Sequence, residues 1–190
     1  MRPITLKKFR FLALLLLFIA GCEPVAKNTY KVVKIKDGDT IELLSTDLKT
    51  TTVRLSGIDC PEKAQAFGNA AKQYTALLCF GQNVKLQVDD TDRYGRTVGT
   101  ILLEDGRNLN HELVRNGFAW EYKTYSKDPE LAGLEQYARN NRLGLWQDNN
   151  PVEPWNFRRK KTKKKPRKKR TKKTEVVYLS HYTSTAYAIC

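Results

Sequence analysis

Two carboxylates and an arginine are closely spaced in the segment RLSGIDCPE. Arg54 ends a β-branched stretch, and Asp59 and Glu62 follow it five and eight residues later. Pro61 stiffens the loop that carries the two acids, because proline fixes its own φ and restricts the residue before it. Such a cluster is either an ordinary salt-bridged turn or part of a site that acts on a charged substrate.

Two further groups of charged residues favour the second interpretation. The segment Asp37-Gly38-Asp39-Thr40 lies upstream, and Asp92-Arg93-Tyr94-Gly95-Arg96 lies downstream. Hydrolysis of a phosphodiester requires neutralisation of charge on the phosphate oxygens and activation of a water molecule. Carboxylates suit Mg²⁺ or Ca²⁺, and arginine binds phosphate through paired hydrogen bonds. The three segments together predict a metal-assisted phosphodiester hydrolase.

Each charged residue has an expected role in that chemistry. Asp39 and Asp59, both at strand ends, are the predicted carboxylate ligands, and a backbone carbonyl in the turn after Asp59 is a third. Glu62 is then free to orient or deprotonate the attacking water. Arg54 and Arg96 are the predicted phosphate ligands. Taken singly, Asp39 is also a good turn residue and Arg96 an ordinary surface arginine.

The elements that must position these residues are short strands and a few helices. Alternating or β-branched stretches predict five strands: Tyr30–Lys36, Asp39–Leu44, Thr51–Leu55, Asn83–Val88 and Arg96–Leu103. Helical spacing predicts three helices: one from Phe67 to Leu78, one over Leu109–Asn116 and one after Asp128-Pro129. The predicted fold is mainly β with α (α+β), a five-stranded OB-fold barrel with about three appended helices.

The N-terminal residues 1–21 have the pattern of an export signal. A positively charged start precedes an apolar stretch that is too short, at about nine residues, for a stable membrane span. Small residues then precede Cys22, a pattern that resembles a lipobox. Cys22 is therefore the predicted lipidation site, with the mature protein anchored to a membrane by lipid outside the cytoplasm. A plain signal peptide that contains a cysteine by chance is the alternative.

The rest of the chain divides into a tether at 22–28, a domain at 29–150 and a basic tail at 151–190. Thirteen of the sixteen residues between Arg158 and Lys173 are Lys or Arg, and they account for most of the net charge of +14. Such a run is typical of a disordered segment that is attracted to polyanions, or of a solvated tail without a particular partner. No physical interpretation follows for residues 174–190.

Two cysteines, Cys60 and Cys79, lie within the predicted domain. An oxidising compartment permits a disulfide between them. Cys79 also lies on the apolar side of a predicted helix, where a buried free thiol packs well. Both alternatives stay open at this point.

The motifs taken together resemble those of the staphylococcal nuclease (thermonuclease) family. They occur in the family's order over about residues 30–146: DGDT at 37–40, RL through DCPE at 54–62, TDRYGR at 91–96 and LVRNGFA at 113–119. The resemblance implies an OB-fold barrel and a Ca²⁺-dependent nuclease that acts on DNA and RNA and leaves 3′-phosphate ends. It also assigns roles by position: calcium ligation by the side chains of Asp39 and Asp59 and the carbonyl of Cys60, and catalysis by Arg54, Glu62 and Arg96.

Two positions depart from the family's pattern or align with it poorly. Cys60 stands where the best-studied pattern has threonine, a change that a backbone ligand tolerates. Tyr94 matches one of the family's nucleotide-binding tyrosines. Tyr122 and Tyr125 compete for the other position, and Tyr125 is the predicted one.

The leading hypothesis is an exported, lipid-anchored, monomeric Ca²⁺-dependent endonuclease of the bacterial cell envelope, acting on DNA and RNA. A non-catalytic nucleic-acid-binding OB-fold lipoprotein is the main alternative. A structural lipoprotein whose basic tail binds anionic envelope polymers is a third. The carboxylate–arginine set favours the enzyme, because binding alone does not require it.

Overall fold

The computed structural model describes residues 28–164, and a closed five-stranded barrel forms their core. The chain forms these strands: β1 (Thr29–Asp37), β2 (Thr40–Leu44), β3 (Thr50–Leu55), β4 (Ile58–Asp59), β5 (Asn83–Thr91), β6 (Thr97–Leu102) and β7 (Trp120–Glu121). The barrel order is β1-β2-β3-β6-β5. Neighbouring barrel strands are antiparallel except β3 and β6, which run parallel. The predicted five-stranded OB-type barrel is confirmed.

Four α-helices occur within residues 28–164: α1 (Gly68–Cys79), α2 (Leu109–Arg115), α3 (Glu130–Asn140) and α4 (Pro154–Lys164). A 3-10 helix over Gly144–Gln147 separates the last two. The first three helices agree with the predicted positions. None of the helices in the described range is long and apolar enough to cross a membrane.

The barrel core is built from residues that alternate along the strands. Buried positions include Ile41 and Leu43 on β2 and Val53 and Leu55 on β3. Arg54 stands between Val53 and Leu55 in the sequence. Because successive side chains of a strand point to opposite faces, Arg54 must point away from the core. The hydrophobic pattern of β3 thus fixes the direction of its only arginine.

A tight turn joins β1 to β2 and requires glycine at Gly38. Asp37 pairs with Thr40 across this turn. A Cβ atom on Gly38 would lie 2.8 Å from Cβ and 2.9 Å from Sγ of Cys60. The missing side chain therefore lets the Asp37–Thr40 turn pack directly on the loop that carries Asp59 and Cys60.

A two-stranded sheet outside the barrel holds the other side of that loop. Strand β4 pairs with β7 in antiparallel register, with Asp59 opposite Trp120. Two-residue strands are too short to give a periodic signal, so sequence analysis did not predict them. The pairing connects the loop of Asp59 to the aromatic residues that follow α2.

Helix α4 differs from the expectation of a disordered tail beginning at residue 151. The basic composition favoured disorder, but the start of the helix carries Trp155. Its ring stacks on Tyr122 with centroids 5.2 Å apart and an interplanar angle of 5°, and it meets the edge of Trp120 at 6.0 Å. Aromatic packing therefore docks the first part of the tail onto the domain.

Several expectations concern residues outside the described range. They are the export signal at 1–21, the lipidation site Cys22, nearly all of the tether, and the tail from residue 165 onward. Cys60 and Cys79 lie within the range, where both are buried and free.

Candidate active site

Arg54 holds two carboxylates side by side at the end of β3. Its Nη1 lies 2.8 Å from Oδ2 of Asp39, and its Nη2 lies 2.8 Å from Oδ1 of Asp59. Strand register explains the first contact, because Arg54 pairs with Thr40, the neighbour of Asp39. Side-chain exposure is 15% for Arg54, 9% for Asp39 and 1% for Asp59, so the ion pairs are screened little by solvent.

Further hydrogen bonds join the two acidic segments. The backbone N–H of Cys60 donates to Oδ2 of Asp39 at 2.8 Å. The backbone N–H of Leu55 donates to the carbonyl of Asp39 at 2.9 Å. The structure thus brings together the segments around residues 37–40 and 54–62, as the sequence analysis expected.

Burial and mutual repulsion perturb the acids of this group. Burial, followed by the charge of Asp39, raises the pKa of Asp37 to about 6. Burial also raises the pKa of Asp59, and the hydrogen bond from Arg158 on α4, followed by the charge of Arg54, opposes that rise. From the sequence alone, Asp37 is only a turn residue. The Asp-Gly-Asp spacing on a tight hairpin is the signal that could have placed a third acid beside Asp39.

Glu62 and Asp59 share an unexpected partner, Arg158 from α4. Its Nη2 lies 2.8 Å from Oδ2 of Asp59, and its Nη1 donates to Oδ1 of the same carboxylate at 3.2 Å. Nη1 also lies 2.8 Å from Oε1 of Glu62. In the sequence, Arg158 is distinguished only as the start of the basic run. No sequence signal links it to acids that lie almost a hundred residues earlier.

Arg96 lies on the hairpin between β5 and β6 and pairs with a different acid. Val98, two residues after Arg96, is the register partner of Arg54 on the parallel strand β3. Arg96 itself lies just before Thr97, the first residue of β6. Its Nη2 lies 2.6 Å from Oδ2 of Asp92. Within residues 28–164 no hydrogen bond or ion pair joins Arg96 to the carboxylates around Arg54.

The predicted substrate-binding tyrosines are both exposed. Tyr94 is 73% exposed and lies on the β5–β6 hairpin, with the Arg96 guanidinium carbon 5.7 Å from its ring centroid. Tyr125 is 67% exposed and packs against Tyr122. The ring of Tyr122 is covered by Trp155. Of the two competing tyrosines, Tyr125 is the more exposed.

Comparison with known proteins decides the family. Residues 52–148 match the family described as "Staphylococcal nuclease homologue". The chain belongs to the staphylococcal nuclease family. An "Uncharacterized endonuclease" of Haemophilus influenzae is 43% identical over 155 residues, which cover 80% of this chain and 86% of that protein. A "Micrococcal nuclease" of Shigella flexneri is 45% identical over 139 residues, covering 68% of this chain and 79% of that protein.

The staphylococcal nuclease family membership confirms two predictions, the fold and the enzyme class. The barrel and its helices are those of a staphylococcal-nuclease-like OB-fold. The protein is a nuclease, a hydrolase of phosphodiester bonds. A third relative, "Protein ParB" of Escherichia coli, is 42% identical over 160 residues, which cover 79% of this chain and 90% of that protein.

The donor set at Arg54 fits a hard divalent cation. Residues 28–164 contain no group of three or more His, Cys, Asp or Glu side chains arranged around one metal position. The side-chain donors here are two carboxylates, Asp39 and Asp59, and the third expected donor is the carbonyl of Cys60. All three are oxygen atoms, which Ca²⁺ and Mg²⁺ prefer, and both cations complete their coordination with water.

Proposed function

We propose that this nuclease is a Ca²⁺-dependent endonuclease that cleaves DNA and RNA and leaves 3′-phosphate ends. The observation that carries the proposal is the pairing of Arg54 with both Asp39 and Asp59, with Glu62 three residues further along the same loop. One side of the barrel thereby holds ligands for a cation, a candidate base and a phosphate-binding arginine.

The proposed roles follow from the position of each side chain. Asp39, Asp59 and the carbonyl of Cys60 would hold Ca²⁺. When bound, the ion neutralises charge on the phosphate oxygens and lowers the pKa of a nearby water. Glu62 is 39% exposed, so its carboxylate can reach a water at the surface and accept its proton. Glu62 is therefore the general base in this proposal.

Arg54 and Arg96 would bind the phosphate. Arg54 uses its Nη1 for Asp39 and for the carbonyl of Leu55 and its Nη2 for Asp59, and a guanidinium has five N–H donors in all. Donors therefore remain for a phosphate oxygen. Arg96 pairs with a partly exposed acid, Asp92, and exchange of such a surface partner for phosphate costs little.

A purely binding role is disfavoured by the charge of the site. Asp37, Asp39 and Asp59 are crowded around one barrel arginine, and burial penalises the charged form of two of them. A surface that only binds nucleic acid gains nothing from carboxylates, because they repel phosphate. A bound divalent cation reverses that repulsion. The acid cluster therefore supports a metal-dependent enzyme over a binding module.

Digestion of plasmid DNA and of RNA by the purified protein, with Ca²⁺ or with chelator, tests the proposal. We expect cleavage only with Ca²⁺, and 3′-phosphate ends on the products. Glu62→Gln should lower kcat by about 10²–10⁴-fold, the usual contribution of a general base. Glu104→Gln is the matched control, because Glu104 is exposed and outside the site. Intact nucleic acid under both conditions would contradict the proposal.

We also propose that the protein is exported, monomeric and lipid-anchored through Cys22. The support is the sequence pattern of residues 1–22, and the basic tail adds attraction to polyanions. Cys22→Ser should abolish incorporation of labelled fatty acid and release the protein from the membrane fraction. Equal membrane retention of both forms would contradict lipid anchoring.

A further inference from the structure

Helix α4 is attached to the domain by contacts that do not involve its arginines. Trp155 stacks on Tyr122 and meets the edge of Trp120. Just before the helix, the carbonyl of Val152 accepts a hydrogen bond from the side chain of Gln65. These contacts hold the first turn of α4 beside the loop that carries Asp59 and Glu62.

Arg158 lies one helical turn after Trp155 and therefore on the same face of α4. Its guanidinium binds both oxygens of Asp59, the predicted cation ligand, and one oxygen of Glu62, the predicted base. A single side chain thus contacts two groups that the proposed reaction requires. The geometry is bidentate at Asp59, the stronger form of a charge-assisted hydrogen bond.

A guanidinium in this position opposes the proposed chemistry in two ways. It adds a positive charge beside the oxygens of Asp59, where Ca²⁺ would bind, and like charges at such short range repel. It also occupies the carboxylate of Glu62 that would accept a proton from water. Arg158 therefore competes with the cation and masks the base.

The same helix carries ligands for nucleic acid. Arg159, Lys160 and Lys161 follow Arg158 directly, and all three are exposed. Arg158 itself is 43% exposed, so it can leave Asp59 without opening the hydrophobic core. A long phosphate chain would attract the whole basic face of α4, Arg158 included.

We propose that α4 is an autoinhibitory element in which Arg158 blocks Asp59 and Glu62 until the phosphates of a nucleic acid draw the helix away. The inference rests on the proposed Ca²⁺-dependent nuclease and adds its regulation by the length of the substrate. A long polyanion both binds α4 and frees the site. A dinucleotide occupies the site but offers too few phosphates to compete for the helix.

Calcium titration calorimetry on the full-length protein, without nucleic acid, tests the competition. Arg158→Ala should lower the Kd for Ca²⁺ by about tenfold, because it removes one charge-assisted hydrogen-bonded pair that is partly screened by solvent. Arg159→Ala is the matched control. It removes the same charge from the next position, where the side chain contacts Asn156 of its own helix. The Kd of Arg159→Ala for Ca²⁺ should equal that of the wild type.

Kinetics on two substrates test the release step. Arg158→Ala should raise kcat/KM for a dinucleotide by about tenfold, the same factor as in the calcium titration. The same variant should change kcat/KM for long DNA little, because long DNA has already displaced the helix. If instead Arg158→Ala lowers kcat/KM on both substrates, Arg158 is a phosphate ligand and the autoinhibition is wrong.

The outcomes separate this inference from the proposed nuclease. Equal Ca²⁺ affinity of wild type and Arg158→Ala, with Ca²⁺-dependent cleavage intact, overturns only the autoinhibition. Absence of Ca²⁺ binding in both proteins overturns both. Circular dichroism and thermal unfolding of each variant establish that the fold is kept.

Discussion

Asp59 is held by two arginines that come from very different parts of the molecule. Arg54 lies on barrel strand β3 between two buried core residues and is 15% exposed, whereas Arg158 lies on the terminal helix α4 and is 43% exposed. The contact distances are the same, 2.8 Å in each case. Similar ion pairs can therefore have different roles: the barrel strand fixes Arg54, whereas Arg158 depends on the packing of Trp155 and on the hydrogen bond from Gln65 to Val152.

Removal of Arg54 should lower the stability of the domain more than removal of Arg158. Arg54→Ala leaves Asp39 buried without an ion-pair partner and leaves Asp59 with Arg158 alone. Breaking a buried pair costs about 3–5 kcal/mol. Urea denaturation measures the loss. Arg107→Ala is the control, because Arg107 pairs with acids at the surface and is 48% exposed. A loss no greater than that of the control would show that Arg54 does not organise the site.

The barrel side of the site could be predicted from sequence because its determinants are local. Arg54, Asp59 and Glu62 lie within nine residues, and the alternation of β3 gives the direction of Arg54. Asp39 follows from the hairpin and strand pairing. Arg96 was expected to join the site, but within the described residues it pairs with Asp92, four positions away.

The contacts of α4 with the site could not be predicted, because they join residues distant in sequence and because the basic composition of α4 indicates disorder. Thirteen basic residues in sixteen favour disorder, yet Trp155 packs on two aromatic rings of the domain and Val152 accepts a hydrogen bond from Gln65. The contacts of Arg158 with Asp59 and Glu62 span 99 and 96 residues. No local pattern in the tail predicts these contacts.

A second substitution tests how closely the barrel turn must approach the acidic loop. Gly38→Ala places a Cβ 2.8 Å from Cβ of Cys60, and overpacking of this kind costs about 1–3 kcal/mol. Gly133→Ala is the control substitution. Gly133 lies in the middle of α3, and a Cβ atom added there would have no neighbouring atom within 4 Å. This substitution should stabilise the protein by about 0.5–1 kcal/mol. In thermal unfolding, Gly38→Ala should lower the stability and Gly133→Ala should raise it. A change of the same sign in both variants would contradict close packing of the Asp37–Thr40 turn on the acidic loop.

Loss of the aromatic anchor should detach α4 with a smaller effect on the domain. Trp155→Ala removes the stack on Tyr122 and the edge contact with Trp120, at a cost of about 1–2 kcal/mol. Hydrogen exchange of the amides in residues 154–164 should become faster, while the barrel strands stay protected. Trp155→Phe keeps a stacking ring and should retain most of the protection. Unchanged exchange in Trp155→Ala would mean that the helix is held by other contacts.

Arg158→Ala should have the smallest effect on stability, even though it removes a partner from the same carboxylate as Arg54→Ala. Asp59 keeps its bond to Arg54, and a partly exposed ion pair contributes only about 0–1 kcal/mol. Urea denaturation of Arg54→Ala and Arg158→Ala under identical conditions gives the difference directly. A loss for Arg158→Ala comparable to that for Arg54→Ala would make α4 a structural part of the domain. The helix would then be too costly to displace, and its proposed release by nucleic acid would be wrong.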